Sequence, residues 1–168
     1  VGIDFPFDRD SFAIDGSAQV RDYLPSDREQ LVALEKRVLG EEYFRVRTSR
    51  RSRCEPPFSG RVRARLLGLK RRELVLVAED RAVGFVLVRA DASANVGGIE
   101  ELLIEEDHVD YLPALLKADL EFFEGLGKRR ALLTFPAEQE AISDRVEHLG
   151  FREELTILNM VCWFCWRK

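Results

Sequence analysis

Between Glu73 and Phe151 the apolar residues switch repeatedly between the two-residue period of a strand and the 3.6-residue period of a helix, and that order admits few folds. Leu74, Leu76 and Ala78 alternate with Val75 and Val77 over Glu73–Glu79, a nearly continuous apolar run that predicts a strand buried on both faces. The turn Glu79-Asp80-Arg81 and the run Ala82–Ala90 complete an antiparallel hairpin. After a loop at Asp91–Gly97, in which Gly97-Gly98 is a turn signal, a third strand covers Gly98–Glu105. Leu112, Leu115, Leu116, Leu120 and Phe123 then recur at helical spacing in a helix over Tyr111–Leu126, with Gly125 and Gly127 as left-handed stops. A strand at Arg129–Phe135 and a helix at Ala137–Leu149, with Ala141, Ile142, Val146 and Leu149 on one side, lead to Leu149-Gly150-Phe151. A hairpin followed by a strand–helix–strand crossover predicts an α/β (α+β) domain. Its sheet is mixed and mostly antiparallel, splayed where two strands run parallel, with helices on both faces.

Upstream, residues 1–18 mix aromatics with aspartates without a helical period and read as an extended lead-in or edge strand. A strand at Gln19–Tyr23 runs into Ser26, placed to cap a helix, with Glu29 three residues on to complete a capping box. Leu31, Leu34, Val38 and Leu39 form that helix's apolar stripe through to Gly40. Between Arg45 and Arg72 the composition turns to arginine, broken by Pro56-Pro57 and Ser59-Gly60 and closed by a short helix at Val62–Leu69. The last segment, Glu154–Trp166, reads as one long strand.

The chain has 168 residues, 46% of them hydrophobic, which suits one core; the domain proper is read as 19–168. Net charge is −4, from 26 basic and 30 acidic residues, so nothing global draws the chain to nucleic acid. Apolar runs are strand-length and interrupted by charge, which argues against a membrane span. Cysteines are sparse and odd in number (Cys54, Cys162, Cys165), and the N-terminal residues lack a signal-peptide order, so a reducing, cytoplasmic setting is expected. Cys162 and Cys165 have knuckle spacing without a second pair, and packing is their expected role rather than metal binding. His148 falls in the last turn of its helix, where a cation complements the helix end.

The element order and the Leu149-Gly150-Phe151 ending resemble the GNAT N-acyltransferase superfamily, from roughly Gln19 to the C-terminus. The resemblance implies transfer of an acyl group, acetyl first, from a thioester donor to a small-molecule or peptide amine. The donor is acetyl-CoA, another acyl-CoA or acyl-carrier protein, and a homodimer is compatible with it. It implies Glu100 or Glu101 as base, only one of which can face the acceptor if the strand alternates strictly. The backbone of Leu102, Leu103 and Ile104 would hold the thioester. His108, with the amides near Tyr111 and Leu112, would take phosphate contacts, and Tyr111 stands in as proton donor. Gln139 sits near the family's asparagine position, Val146 near its tyrosine. Arg51 and Arg53 fall where the acceptor side is built.

The chain departs from the family where CoA pyrophosphate is cradled. The stretch from Asp107 to Ala114 contains no glycine, brings Asp110, and places Pro113, which has no N–H, at the helix start. Three readings follow: an enzyme that grips its donor differently, an acyl-CoA enzyme with an irregular loop, or a catalytically inactive ligand- or protein-binding module of the same shape.

Overall fold

The structure, a computed structural model, describes residues 1–13, 18–47, 68–135 and 139–154, and of 41–47 the backbone alone. Six strands form one sheet among the described residues: β1 (Gly2–Asp4), β2 (Gln19–Asp22), β3 (Leu69–Ala78), β4 (Arg81–Asp91), β5 (Val96–Ile104) and β6 (Arg130–Leu133). Their spatial order is β1-β6-β5-β4-β3-β2, and β5 with β6 is the one parallel pair. The hairpin between β3 and β4 turns through Glu79 and Asp80, both at positive φ (51° and 60°), with Ala78 opposite Arg81. That is the two-residue turn whose twist suits antiparallel strands.

Three α-helices are described: α1 (Arg28–Arg47), α2 (Leu112–Gly125) and α3 (Glu140–His148). α1 covers one face of the sheet, where Leu34 packs with Val75, Phe85, Leu87 and Leu103. On the other face Leu112, Leu115, Leu116, Leu120 and Phe123 of α2 pack on Leu74, Leu76, Val86, Val88, Ile99, Leu102 and Ile104. Ile142 and Val146 of α3 join that larger core. Alternation along β3 thus sends Leu74 and Leu76 to one core and Val75 to the other, as a doubly buried strand requires. His148 Nδ1 lies 2.6 Å from the Asp144 carbonyl, closing the last turn of α3.

Several local expectations are corrected. β3 begins at Leu69 rather than Glu73, because Leu69–Arg72 keep pairing with Val88–Asp91 after the apolar alternation has run out. Leu69 therefore belongs to the strand and not to a preceding helix; positions 62–67 of that expected helix lie outside the described residues, as does the final strand beyond Glu154. Gly40 does break α1, at φ 75° and ψ 160°, yet the backbone resumes helical geometry to Arg47. Residues 2–4 pair antiparallel with 130–132 as an edge strand.

The entry to α1 is secured by Asp27, not by Ser26 and Glu29. Asp27, 4% exposed, accepts from the Leu24 amide (2.8 Å) and takes a bidentate ion pair from Arg21 (2.6 and 2.7 Å). The Arg21 guanidinium, more than the Leu24 amide, holds this carboxyl below the usual carboxylate range. Asp27→Ala should cost about 1–2 kcal/mol at neutral pH in a urea titration. Because the folded-state pKa is depressed, this contribution stands above the usual carboxylate range and is lost as pH falls through the folded value. Wild type and variant should therefore converge in acid; a constant gap would count against the pairing.

Candidate active site

β5 and β6 stay together only briefly. Their register covers Val96–Ile99 against Arg130–Leu133, and the last bond is Thr134 N–H to Ile99 O at 3.4 Å. From Glu100 to Ile104, β5 has no strand partner on that side among the described residues. On its other side it stays zipped to β4, with Glu105 N–H donating to Val83 O at 3.0 Å. Backbone groups alternate sides along a strand, so Leu103 shares the β4-facing direction of Glu105, while Leu102 and Ile104 turn their N–H and C=O toward the gap.

The pairing of β4 with β5 slips at the same place: Leu87 opposes Glu101 and Val88 opposes Ile99, leaving Glu100 as the extra residue of a bulge. Bulges bend and twist a strand, and this one lies where β6 is left behind. It also corrects strict alternation. Ile99 and Leu102 both enter the α2-side core, so two residues rather than one separate them on the α1 side. Glu100 and Glu101 thus share the α1-facing side, instead of opposing one another. Glu100 is exposed and pairs with Arg89 at 3.1 Å, and Glu101 is half-buried.

Beyond the strand, Glu106–Tyr111 form a 3-10 helix that runs directly into α2. Glu105, just before it, joins three elements: Arg37 of α1 and Arg81 of the hairpin both bind its carboxylate, the latter at 2.8 Å, and His108 Nδ1 lies 3.4 Å away. The His108 ring stacks on Tyr111 with centroids 6.2 Å apart, and its Nδ1 is buried without a hydrogen bond. The 3-10 helix touches α3 as well. At the start of that helix Gln139 has a buried Oε1 without a hydrogen bond, and its carbonyl accepts from Ile142 and Ser143.

The expected residues are therefore brought together in part. Glu100, Glu101, Leu102 and Ile104 line the unzipped half of β5, His108 and Tyr111 stand at its end, and Leu103 buries its side chain under α1. Arg51 and Arg53 lie outside the described residues. Glu105 with Arg37 and Arg81 was missed; the sequence signal is faint, a glutamate ending an apolar strand and an arginine closing a hairpin turn. Among the described residues no three His, Cys, Asp or Glu side chains are grouped to hold a metal.

The fold as a whole is matched by solved structures. The chain resembles the ribosomal-protein-S18-alanine N-acetyltransferase of Escherichia coli, with 17% identity, a TM-score of 0.56, and coverage of 83% of this chain and 80% of that one. It also resembles the PaiA N-acetyltransferase of Thermoplasma acidophilum in complex with coenzyme A, at 17% identity, TM-score 0.56, with 79% and 88% covered. A third is AAC(6')-Iy bound to the bisubstrate analogue CoA-S-monomethyl-acetylneamine, at 15% identity, TM-score 0.55, with 88% and 100% covered. The chain has the GNAT acetyltransferase fold. No family model and no curated protein matches its sequence.

Measured against CoA, this GNAT fold fits at one end of the cleft and fails at the other. The open edge at Leu102 and Ile104 offers the pairing groups that an extended amide-bearing arm needs. The phosphate end does not fit. Leu112 N–H already donates to Val109 O, and Pro113 has no N–H, so the 3-10 helix uses the amides that a free helix start would present. Glu106, Asp107 and Asp110 are exposed there and add like charge. The phosphate contact expected of the Leu112 amide is thus corrected: that amide is spent within the chain. Among the described residues no helix is long and apolar enough to cross a membrane.

Proposed function

We propose that this chain is an N-acyltransferase that moves an acyl group, acetyl first, from a thioester to an amine acceptor. The observation that carries this reading is the unzipped half of β5, with two glutamates brought to one face by the bulge at Glu100. An acyl-bearing arm lies along β5 in place of a neighbouring strand, its thioester carbonyl facing the Leu102 amide, which stabilises the oxyanion, while the Ile104 backbone groups pair with the arm. The amine approaches from the α1 side. As the C–N bond forms and the C–S bond breaks, Glu101 accepts the proton released by nitrogen, and Tyr111 protonates the departing thiolate. Glu101 is favoured over Glu100 because it is half-buried, whereas Glu100 is exposed to solvent. Arg51 and Arg53 are assigned to the acceptor side.

The test is thiol release from S-acetyl thioesters with a panel of small amines and peptides. Glu101→Gln should lower kcat by about 10²–10⁴-fold, and Glu100→Gln by much less. Equal activity of both variants and wild type would remove the glutamates from the mechanism. The helix start, where the Leu112 amide is taken and Pro113 offers none, favours a second reading, a non-catalytic binding module of the same shape; that reading wins if no thioester binds or turns over.

A further inference from the structure

The two ends of the cleft make opposite demands on a donor. Along β5 the N–H and C=O groups of Leu102 and Ile104, without a strand partner on the β6 side among the described residues, call for an extended chain with amides of its own, which is the chemistry of a pantetheine arm. At the far end the backbone and the exposed carboxylates of the turn work against a phosphate. The 3-10 helix spends the Leu112 amide on Val109, Pro113 offers none, and Glu106, Asp107 and Asp110 are exposed carboxylates. The cations beside this turn do not reverse the sign, because Arg37 and Arg81 both already bind Glu105, and Arg37 also donates to Ala82 O at 3.2 Å.

We infer that the donor of this chain is a thioester on a pantetheine-type arm whose end carries no nucleotide phosphates, so that the chain discriminates against coenzyme A itself. The inference rests on the transferase reading of the β5 cleft and specifies its donor. The acidic turn works as a charge filter: exposed carboxylates beside the end of the arm repel an anionic nucleotide, an effect that salt screens. Acyl transfer is unchanged in its atoms, since the C–S bond broken and the free thiol released are the same on either arm.

The experiment compares S-acetyl-pantetheine, acetyl-CoA and 3′,5′-ADP on the wild-type chain, by calorimetry and by amide shifts of Leu102 and Ile104. S-acetyl-pantetheine should move those two amides and bind roughly tenfold or more tightly than acetyl-CoA, and 3′,5′-ADP should not bind. The triple variant Glu106→Gln, Asp107→Asn, Asp110→Asn changes only exposed side chains to near-isosteres. It should raise acetyl-CoA affinity roughly tenfold while leaving S-acetyl-pantetheine affinity unchanged. Acetyl-CoA binding more tightly than S-acetyl-pantetheine, or measurable binding of 3′,5′-ADP, overturns the inference and leaves the transferase reading standing. If neither thioester moves Leu102 or Ile104, the transferase reading falls and takes the inference with it.

Discussion

Gly97→Ala is expected to destabilise the chain by about 1–3 kcal/mol, a large loss for one added methyl group. Gly97 lies in the short stretch where β5 and β6 are still paired, opposite Ala131, and is buried. A Cβ built there would enter the ring of Phe123, well inside van der Waals contact. Phe123 is itself fully buried near the end of α2, among Leu116, Leu120 and Ile99, so its ring has little room to retreat. The missing side chain lets α2 settle directly on the sheet at this point. Thermal or urea denaturation of Gly97→Ala checks the size of the effect, and Gly97→Ala combined with Phe123→Leu should recover part of it by removing the obstructing ring. An alanine variant as stable as wild type would show that α2 is not seated on this glycine.

The opposite sign is expected at Asp119. This residue occupies a core-facing position of α2, between Leu116 and Leu120, is fully buried, and neither carboxyl oxygen has a hydrogen bond among the described residues. Burial pushes its pKa well above the ordinary carboxylate value, and the charge of Arg72 on β3 offsets this only in part. Arg72 is committed elsewhere: it pairs with Asp22 of β2 at 2.9 Å and donates to Ala118 O at 3.4 Å. Below the unfolded-state value both states hold the proton. As pH rises toward the raised folded-state value, the unfolded chain gains by ionising while the folded chain does not, so stability is lost. Asp119→Leu should therefore stabilise the chain by about 1–3 kcal/mol at neutral pH, with the advantage shrinking in acid. Asp119→Asn keeps the shape and an unsatisfied polar group but should abolish this pH dependence. A leucine variant weaker than wild type at neutral pH would mean that the carboxyl has a partner that the geometry does not reveal.

Local signals made much of this architecture legible before any coordinates. The doubly apolar run at Leu74–Ala78, the leucines at helical spacing from Leu112, and Leu149-Gly150-Phe151 each report on neighbours close in sequence, and the order of those signals implied a splayed sheet. What stayed hidden depends on distant partners. Glu100-Glu101-Leu102-Leu103-Ile104 reads as a plain strand, because the bulge exists only in its pairing with Leu87 and Val88. The 3-10 helix at Glu106–Tyr111 has no periodicity of its own to announce it. Glu105 gains its role from Arg37 and Arg81, which two other elements deliver. The glycine-free approach to α2 was visible as a departure from the resemblance, and the structure adds the reason it matters: the Leu112 amide is already taken.

The edge strand β1 carries a consequence for how the chain matures on the ribosome. Residues 2–4 are made well before the backbone they must pair with, which lies at 130–132, and Gly2 also exchanges bonds with Arg152. The intervening residues 5–129 must therefore be synthesised before this flank of the sheet can close. Such distant pairing is entropically slow to form, and until then the nascent β6 side has an open edge that other chains can reach.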